Sequence, residues 1–365
     1  MNKEKALIQT HVPFVSVIVL NYNGESYLKQ CLFSLLRTKY SNFEIIFVDN
    51  ASTDSSLRIV EKTFGKDKRL RIVKSTKNLG FSAGNNLGFS QAKGDYIVFL
   101  NNDTIAESDW LAALVDAMEE DPTIGLASST ILSIDGEKIR GAGGLWSDYL
   151  LFLHPVVAGK KGDFEFLPVF EVSFATGCSM IVRKSFLDEI GLFDPEIPYN
   201  YDDTLLSFKT WLAGKRVVSV SLSRIRHIGG GTTKKFWDQQ SITFSLVRAK
   251  MCLLLDVYFN LRDLLNAFFV LYSSMVVESV FSAKGNNQSE ILGNIQASTW
   301  MIKNFKHVWT NRLEHWKKPK ITPEMLLAKF IRIRLQFPLC ITHSALMYSV
   351  YRNACLNFEN TLISN

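Results

Sequence analysis

Apolar positions in the first 120 residues of the chain alternate between two periods. Four short runs are almost entirely apolar, as strands buried on both faces of a sheet are: residues 15–20, 43–48, 70–73 and 96–100. Each run is followed by a segment whose apolar side chains recur at helical spacing: residues 26–36, 57–64, 82–91 and 109–119. This alternation predicts an α/β fold, with a mostly parallel, Rossmann-like sheet flanked by helices.

The pattern changes after residue 120 and again near residue 240. Residues 124–132 and 172–182 predict further strands, residues 201–211 predict a helix, and glycines cluster at 141–144 and 229–231. From about residue 241 onward, long helical stretches rich in Leu, Phe, Tyr and Trp dominate. We therefore predict two regions, an α/β domain over residues 1–240 and a C-terminal helical region over residues 241–365.

The net charge of +6, from 41 basic and 35 acidic side chains, is divided unevenly between the two regions. Residues 1–226 hold 25 basic and 27 acidic side chains, a net charge of −2, and residues 227–365 hold 16 and 8, a net charge of +8. The hydrophobic content of 47% excludes a disordered chain. Because the basic excess lies among apolar helices and forms no recognisable recognition module, no nucleic-acid partner is expected.

Aromatic and basic side chains interleave in the helical region, a composition suited to the interface of an anionic bilayer. The residues concerned are Trp300, Lys303, Phe305, Lys306, Trp309, Arg312, Trp316, Lys317, Lys318 and Lys320, and residues 328–334 are similar. The uncharged stretch 264–277 has only 14 residues, whereas a spanning helix needs roughly 20. We therefore favour peripheral membrane contact. The alternative is a helical bundle that packs on the α/β domain or on a second copy, as in a homo-oligomer.

Cysteine usage and the N-terminus indicate the compartment. The five cysteines are odd in number, far apart and without a CxxC pair, so neither a disulfide framework nor a zinc site is predicted. The apolar residues 12–20 lead directly into Asn21 without a small-residue cleavage site, and we interpret them as a buried strand rather than a signal peptide. A cytoplasmic protein at the cytoplasmic face of the membrane is predicted.

Polar residues follow three of the predicted strands at the point where each strand ends: residues 21–23, 49–50 and 101–103. Open α/β sheets bind ligands beyond the carboxyl ends of their strands, so these residues are expected to form one site. No GxGxxG sequence follows the first strand, which argues against an ordinary dinucleotide dehydrogenase.

Each candidate residue has a functional and an ordinary explanation. Asp49 is suited to accept a hydrogen bond from a nucleotide base, or to cap the following helix. Asp103, flanked by amides, is suited to a hard divalent cation that retains phosphate oxygens and water, or to a turn. The adjacent acids Asp202 and Asp203 are suited to general-base chemistry, or to the positive end of a helix dipole. His227 can meet metal or phosphate, although a lone histidine is more often structural.

Taken together, these motifs resemble glycosyltransferase family 2, the nucleotide-sugar-dependent enzymes with a GT-A fold, and most of all its rhamnosyltransferase-like members. The resemblance covers about residues 13–235 and rests on the order and spacing of several segments: residues 15–23, 48–54, 78–86, 99–104, 177–183, 191–194 and 227–231. It implies that residues 1–240 form a catalytic domain that binds the nucleotide sugar and the acceptor.

The resemblance also implies how the donor is bound. Asp49 would accept a hydrogen bond from the imide of uracil or thymine, and Asn21 and Asn23 would line the nucleotide pocket. Asn85 and Asn86 would lie on the helix that borders the diphosphate. The donor would be a dTDP-, UDP- or GDP-sugar.

For the reaction, the resemblance implies metal assistance and a general base. Asn101 and Asn102 would contact the nucleotide sugar, while Asp103, the last residue of a DxD-type motif, would hold Mg²⁺ or Mn²⁺ together with His227. Asp203 would deprotonate the acceptor hydroxyl of a glycan or a lipid-linked sugar. The predicted activity is an inverting hexosyl transfer in polysaccharide biosynthesis.

Two departures from the family pattern leave an alternative open. Asn101 stands where the DxD-type motif begins, and Leu205 stands where relatives often have an acid shortly after the base. A catalytically silent subunit that binds a sugar nucleotide within a glycan-assembly complex would tolerate both changes. A nucleotidyltransferase is disfavoured, because no glycine-rich loop with Lys or Arg follows the first strand.

Overall fold

The computed structural model describes residues 12–147, 152–197, 200–229, 238–284, 288–315, 319–322, 325–326 and 329. The strands in this part of the chain are β1 Val15–Asn21, β2 Phe43–Asp49, β3 Leu70–Lys74, β4 Tyr96–Asn101, β5 Thr104–Ala106, β6 Ile124–Leu132, β7 Ile139–Gly141, β8 Gly144–Ser147, β9 Phe152–Pro155, β10 Val169–Glu171, β11 Ser179–Arg183 and β12 Arg216–His227. The helices are α1 Leu28–Leu36, α2 Ser56–Phe64, α3 Gly80–Phe89, α4 Trp110–Glu120, α5 Lys184–Ile190, α6 Asp202–Leu212, α7 Gln239–Val257, α8 Leu261–Lys284 and α9 Gln288–His315.

One large mixed sheet organises the N-terminal two thirds of the chain. Its strand order is β10-β12-β6-β11-β4-β1-β2-β3, with β5 beside β12 and β7 beside β6. The pairs β1–β2, β1–β4 and β2–β3 are parallel, as is β6–β12, whereas β11 runs antiparallel between β4 and β6. The predicted α/β fold, a mostly parallel sheet flanked by helices and followed by C-terminal helices, is confirmed.

Both faces of the sheet are buried, which explains the uninterrupted apolar runs. In β1, Val15, Val17 and Val19 pack in an apolar cluster with α1, α2 and α4, while Ile18 points to the opposite face. Burial of a large apolar side chain typically contributes roughly 1.5–3 kcal/mol. The alternation within each strand therefore fixes which face of the sheet every residue occupies. The polar residues at the ends of the parallel strands lie at one edge of the sheet.

Two features of the middle of the sheet differ from the sequence-based expectation. The predicted strand 172–182 is wrong over residues 172–178, because these residues lie between two separate strands, β10 and β11. β10 lies at the edge of the sheet beside β12, whereas β11 lies between β6 and β4. The intervening residues cross the sheet instead of extending it. Strand β12 was not predicted, although its serines alternate with apolar residues at strand spacing. Ser223 is buried, and its hydroxyl lies 2.7 Å from that of Ser129.

The C-terminal helices pack on the α/β region. Buried apolar residues of α7 and α8 belong to the same cluster as Leu206 and Trp211 of α6. Arg312 of α9, predicted to lie among interfacial cations, is buried and donates to the carbonyl of Tyr258 over 2.5 Å, so that expectation was wrong for this residue. The domain boundary near residue 240 stays a prediction.

A helix that spans a membrane must be long and apolar. None of the helices in the described part of the chain is sufficiently long and apolar to cross a bilayer. The predicted interfacial residues Trp316, Lys317 and Lys318 lie outside the described residues, as do all of 328–334 except Lys329. Residues 230–231 of the glycine cluster that follows His227 also lie outside them.

Candidate active site

The polar ends of three neighbouring parallel strands meet at one edge of the sheet, as predicted. Asn21 at the end of β1 pairs in register with Asp49 at the end of β2, and Leu20 pairs with Asn101 at the end of β4. Across β1 and β4, Nδ2 of Asn102 donates to Oδ1 of Asn21 over 2.6 Å. The candidate residues of these strands therefore share one buried polar cluster.

Asn23 shapes the loop that follows β2. Its Oδ1 accepts from the amide of Thr53 over 2.7 Å, and its own amide donates to Oγ of Ser52 over 3.0 Å. The backbone of Asn23 is left-handed, with φ of 52°, a conformation that asparagine tolerates better than most residues. Next to it, a Cβ on Gly24 would lie 2.3 Å from side-chain atoms of both Asn21 and Asn102. Only glycine fits this approach.

Asp49 presents a buried oxygen to this edge. The residue is 4% exposed, and its Oδ1 has no hydrogen-bond partner among the described residues. Leaving a buried polar atom unpaired typically costs about 1–3 kcal/mol. The ordinary explanation, helix capping, does not apply to Oδ1, since a capping oxygen accepts a backbone N–H. This oxygen is suited to accept a hydrogen bond from a ligand.

The two asparagines of α3 have protein partners. Nδ2 of Asn85 donates to the carbonyl of Phe81 within the helix over 3.0 Å, and Nδ2 of Asn86 donates to the carbonyl of Phe193 over 2.9 Å. Oδ1 of Asn86 is buried without a partner in the described chain. Asn50, which was expected at this edge together with Asp49, ties β2 to α3 by accepting from the amide of Leu79 over 2.9 Å.

Asp103 and His227 are brought together by strand pairing. Their sequence positions differ by 124, but β5 pairs antiparallel with β12, and His227 lies opposite Thr104. Nε2 of His227 lies 3.0 Å from Oδ1 of the largely buried Asp103. Burial lowers the pKa of His227, but its interactions with Cys178 and Asp103 outweigh burial and raise that pKa to about 10. A carboxylate and an imidazole thus converge at the end of β4.

Arg140 of β7 fixes the turn that follows His227, and nothing in the local sequence indicated it. Its Nη1 donates to the carbonyls of His227 and Ile228 over 3.1 and 3.0 Å. Gly229 has φ of 78°, and a Cβ there would lie 2.2 Å from Nη1 of Arg140. The turn therefore favours glycine for its left-handed backbone, and a larger residue would also displace the guanidinium of Arg140.

The acidic pair begins α6. Asp203 accepts hydrogen bonds at both carboxylate oxygens, at Oδ2 from the amide of Gly177 over 2.8 Å and at Oδ1 from the amide of Thr204 over 2.7 Å. Asn200 and Tyr201, immediately before the pair, are both left-handed, with φ of 60° and 61°. Non-glycine residues in this region are strained, and such strain concentrates at functional sites.

Burial controls the protonation of this pair. It raises the pKa of Asp203, and the amide donors Gly177 and Thr204 offset part of that rise. Burial, and then the neighbouring Asp203 charge, raise the pKa of Asp202 well above its ordinary value. Two interacting carboxyls titrate as a pair. We infer that Asp202 retains the proton, while Asp203, which accepts two backbone amides, is the member that ionises first.

A dipeptide connects the acidic pair to Asp103 and His227. The amide of Gly177 donates to Asp203, and Cys178, the next residue, interacts with His227. The carbonyl of Cys178 also accepts from the amide of Asn101 over 3.0 Å. The candidate general base and the candidate metal ligands therefore lie on either side of one short stretch of backbone.

Leu205, the departure noted in the sequence, lies in the apolar core. It is 2% exposed and packs in the cluster that contains Leu206 and Trp211. An acid at this position would be buried among apolar side chains. Leucine therefore suits the apolar surroundings of this position, and Asp203 keeps its place at the start of α6.

Residues 16–191 match the family described as glycosyl transferase family 2. The glycosyltransferase GlyG of Streptococcus pneumoniae serotype 4 is 35% identical over 216 residues, which cover 57% of this chain and 68% of that protein. An uncharacterized glycosyltransferase of Haemophilus influenzae is 38% identical over 108 residues. That match covers 30% of this chain and 43% of the Haemophilus protein, so the chain spans less than half of that relative.

Among solved structures, the chain is similar to GalNAc-T7, whose crystal structure was determined with UDP, GalNAc and Mn²⁺. The TM-score is 0.59 at 19% sequence identity, and the match covers 88% of this chain and 57% of GalNAc-T7. At this identity the similarity concerns the fold.

Proposed function

The chain belongs to glycosyl transferase family 2, and we propose that it is an inverting, metal-assisted hexosyltransferase that acts on a hydroxyl of a glycan or lipid-linked acceptor. The observation that best supports this proposal is the arrangement around Gly177 and Cys178. It brings a carboxylate suited to general-base work, Asp203, close to the carboxylate and imidazole of Asp103 and His227. A transfer reaction that must deprotonate an acceptor and stabilise a departing diphosphate needs both groups at one site.

Two protein ligands suit a divalent cation whose remaining coordination positions are occupied by phosphate oxygens. Within the described residues, no cluster of three or more His, Cys, Asp or Glu side chains could hold a metal alone. Mg²⁺ is often bound through one or two carboxylates together with substrate phosphates and water, which Asp103 suits. His227 adds a donor to a phosphate, or a nitrogen ligand once its ring has lost a proton. When bound, such a cation would neutralise charge that develops on the leaving diphosphate.

Asp203 supplies the base in this scheme. The acceptor oxygen forms the new bond to the anomeric carbon, its proton passes to Asp203, and the bond from that carbon to the diphosphate oxygen breaks. Attack opposite the leaving group inverts the anomeric configuration. Burial raises the pKa of Asp203, which makes it a stronger base than an exposed aspartate.

Asp49 is proposed to recognise the nucleotide. An ionised carboxylate accepts hydrogen bonds only, and the buried Oδ1 of Asp49 has no partner among the described residues. The imide N–H of uracil or thymine is a donor of the required kind. Asn21 and Asn23 border the same edge of the sheet.

Replacing Asp49 with asparagine is expected to weaken UDP binding by about 10–10²-fold, since hydrogen bonds to charged groups typically contribute about 1.5–3 kcal/mol. Titration calorimetry with UDP, and with dTDP and GDP in parallel, measures this change. Asp95→Asn is the matched control, because Asp95 lies before β4, at the opposite edge of the sheet, where its Oδ2 accepts from the amide of Phe14 over 2.9 Å. Equal UDP affinity in D49N and wild type would refute the assignment.

Nucleotide-sugar turnover tests the function itself. The purified chain is incubated with Mn²⁺ and single donors, including UDP-glucose, UDP-GlcNAc, GDP-mannose and dTDP-rhamnose, and release of the nucleoside diphosphate is followed. The last donor is included because the sequence motifs resemble rhamnosyltransferase-like members. Release from one donor, stimulated by membrane extract as acceptor, is the expected result. Tight donor binding without turnover would instead indicate a silent binding subunit.

Exposed apolar side chains on α8 and α9 support peripheral membrane contact. On α8, Leu261, Leu265 and Val276 are 67%, 60% and 63% exposed and recur at helical spacing. On α9, Ile302 is 77% exposed and lies beside the exposed Lys303. Large apolar side chains next to cations are typical of helices that lie in an anionic bilayer interface.

Flotation with vesicles of phosphatidylglycerol and phosphatidylcholine at low salt is expected to bring the protein to the lipid fraction. Leu265→Ser should reduce that fraction, because it removes apolar area from the exposed row. If the wild-type protein stays in the soluble fraction, the membrane proposal fails. A dimer in light scattering that L265S dissociates would assign the same row to contact between two copies.

A further inference from the structure

The chain just before the acidic pair is held by side chains of α3, α6 and the C-terminal helices. Residues 191–197 connect α5 to the stretch that enters α6. Gly191 has φ of 80°, and the amide of Ile197 donates to the carbonyl of Asp194 over 3.0 Å. We refer to residues 191–197 as the pre-base segment, because Asp202 and Asp203 follow it.

On one side, α3 holds the pre-base segment through two main-chain carbonyls. The buried hydroxyl of Ser82 donates to the carbonyl of Ile197, and Nδ2 of Asn86 donates to the carbonyl of Phe193 over 2.9 Å. The ring of Phe193 also lies edge-on to that of Phe99, with centroids 4.8 Å apart. One side of the segment is thus fixed to the sheet and to α3.

On the other side, a buried lysine of α6 holds the beginning of the segment. Nζ of Lys209 donates to the carbonyl of Leu192 over 2.7 Å and to that of Gly191 over 3.2 Å. Lys209 lies two helical turns after Asp202 and Asp203 on the same helix. Its hydrogen bonds therefore join the start of the pre-base segment directly to the helix that presents the general base.

Burying the ammonium group of Lys209 in this space is energetically unfavourable. Lys209 is only 7% exposed, and burying a charge costs several kcal/mol unless hydrogen bonds and opposite charges compensate it. Burial lowers the pKa of Lys209 to about 8, although the carboxylates of Asp256 and Asp194 act in the opposite direction. A methionine would fill the same volume without that cost. What lysine adds is the pair of hydrogen bonds to the pre-base segment.

The C-terminal helices contact the same segment. Nη2 of Arg248 on α7 lies 3.6 Å from Oε2 of Glu196, and Nδ2 of Asn311 on α9 lies 3.5 Å from Oδ2 of Asp194. Asp256 near the end of α7 is close enough to influence Lys209. The pre-base segment therefore lies between α3, α6 and the C-terminal helices.

We propose that Lys209 is a positioning residue of the transfer reaction, which fixes the pre-base segment against α6 and thereby sets Asp203 for the acceptor hydroxyl. The kinetic part of this inference rests on the proposed function. The structural part, that Lys209 restrains residues 191–197, does not depend on it. Lys209 donates to Gly191 and Leu192 and to no residue assigned to the donor, so UDP affinity is not expected to depend on it.

Hydrogen exchange of the unliganded protein tests the structural part. In Lys209→Met, the peptide that spans residues 191–201 is expected to exchange about tenfold faster, since its anchoring hydrogen bonds are lost. Peptides from β1 and β4 should keep their wild-type rates. Lys215→Met is the matched control, because Lys215 is a partly exposed lysine that also donates to a carbonyl, that of Pro122, over 2.8 Å. Unchanged exchange at 191–201, or faster exchange throughout the sheet, overturns the proposal.

Kinetics on the donor that the wild type turns over test the positioning role. K209M is expected to lower acceptor-dependent turnover by about 10–10²-fold and to leave the UDP affinity unchanged, while Lys209→Arg restores part of the turnover. Equal turnover per folded molecule in K209M and wild type overturns the role. If K209M does not fold, Lys209→Gln retains donors without the charge and is measured in both assays. A wild type without donor turnover refutes the proposed function and leaves the exchange result to decide the structural part.

Discussion

Replacing Asp203 with asparagine is expected to lower the turnover number for sugar transfer by about 10²–10⁴-fold, the usual range for removing a general base. UDP affinity should stay close to that of the wild type, because the nucleotide is proposed to bind at the ends of β1 and β2. Both oxygens of Asp203 accept backbone amides, yet each carboxylate oxygen has two lone pairs. Asp203 can therefore still accept the proton of an acceptor hydroxyl. Initial rates at saturating donor, beside UDP calorimetry, separate the two effects.

Asp202→Asn is the matched control for that prediction. Burial and the Asp203 charge raise the pKa of Asp202 well above its ordinary value. This favours the protonated acid, which an amide resembles closely. We expect D202N to retain most of the wild-type turnover. If instead D202N is inactive and D203N is active, the base has been assigned to the wrong member of the pair.

The pH dependence of turnover follows from the same carboxyl. Asp203 works as a base only when ionised, and burial raises its pKa. Turnover should therefore fall as the pH is lowered through this raised pKa, at a higher pH than an ordinary aspartate would give. The profile reports the pair rather than one residue.

The edge of the sheet could be predicted from the sequence because it depends on local patterns. Continuous apolar runs define β1, β2 and β4, and parallel strands bring their carboxyl ends together. Asn21, Asp49 and Asn102 therefore had to meet once those three strands were assigned. Their grouping is observed in the register and in the bond from Asn102 to Asn21.

The rest of the site depends on contacts between distant parts of the chain. Asp103 meets His227 only because β5 pairs with β12. The serines of β12 alternate with apolar residues as in a strand, but this pattern does not specify which strand β12 pairs with. Arg140 reaches the His227 turn from a short strand, β7, that no periodicity indicated. Lys209 lies in a helix that was predicted, but its contact with Leu192 follows from how the pre-base segment crosses α6. Local propensity specifies none of these pairings.

Replacing Asp103 with alanine is expected to lower kcat/KM for transfer by about 10²–10³-fold, comparable to the loss of one group that stabilises developing charge. Asp103 is the carboxylate at the end of β4, and His227 lies 3.0 Å from it. Its removal leaves a single protein ligand for a cation that requires phosphate oxygens as well. Affinity for Mn²⁺ in the presence of UDP should therefore fall together with activity. Electron paramagnetic resonance of free Mn²⁺ measures that affinity without depending on turnover.

The control for this variant is Asp109→Asn, since Asp109 is an exposed carboxylate a few residues later that pairs with Lys39. It should leave both Mn²⁺ affinity and turnover unchanged. Because D103A also removes the partner of the His227 ring, thermal unfolding must first show that the variant is folded. His227→Gln should weaken Mn²⁺ binding less than D103A does. The ring of His227 must lose a proton before it binds a cation, and it then binds as a neutral ligand, which contributes less to binding a hard divalent cation than a carboxylate. If the folded D103A variant binds Mn²⁺ and turns over donor like the wild type, the carboxylate has no role in metal binding. Charge on the diphosphate would then have to be stabilised by cationic side chains such as Arg140.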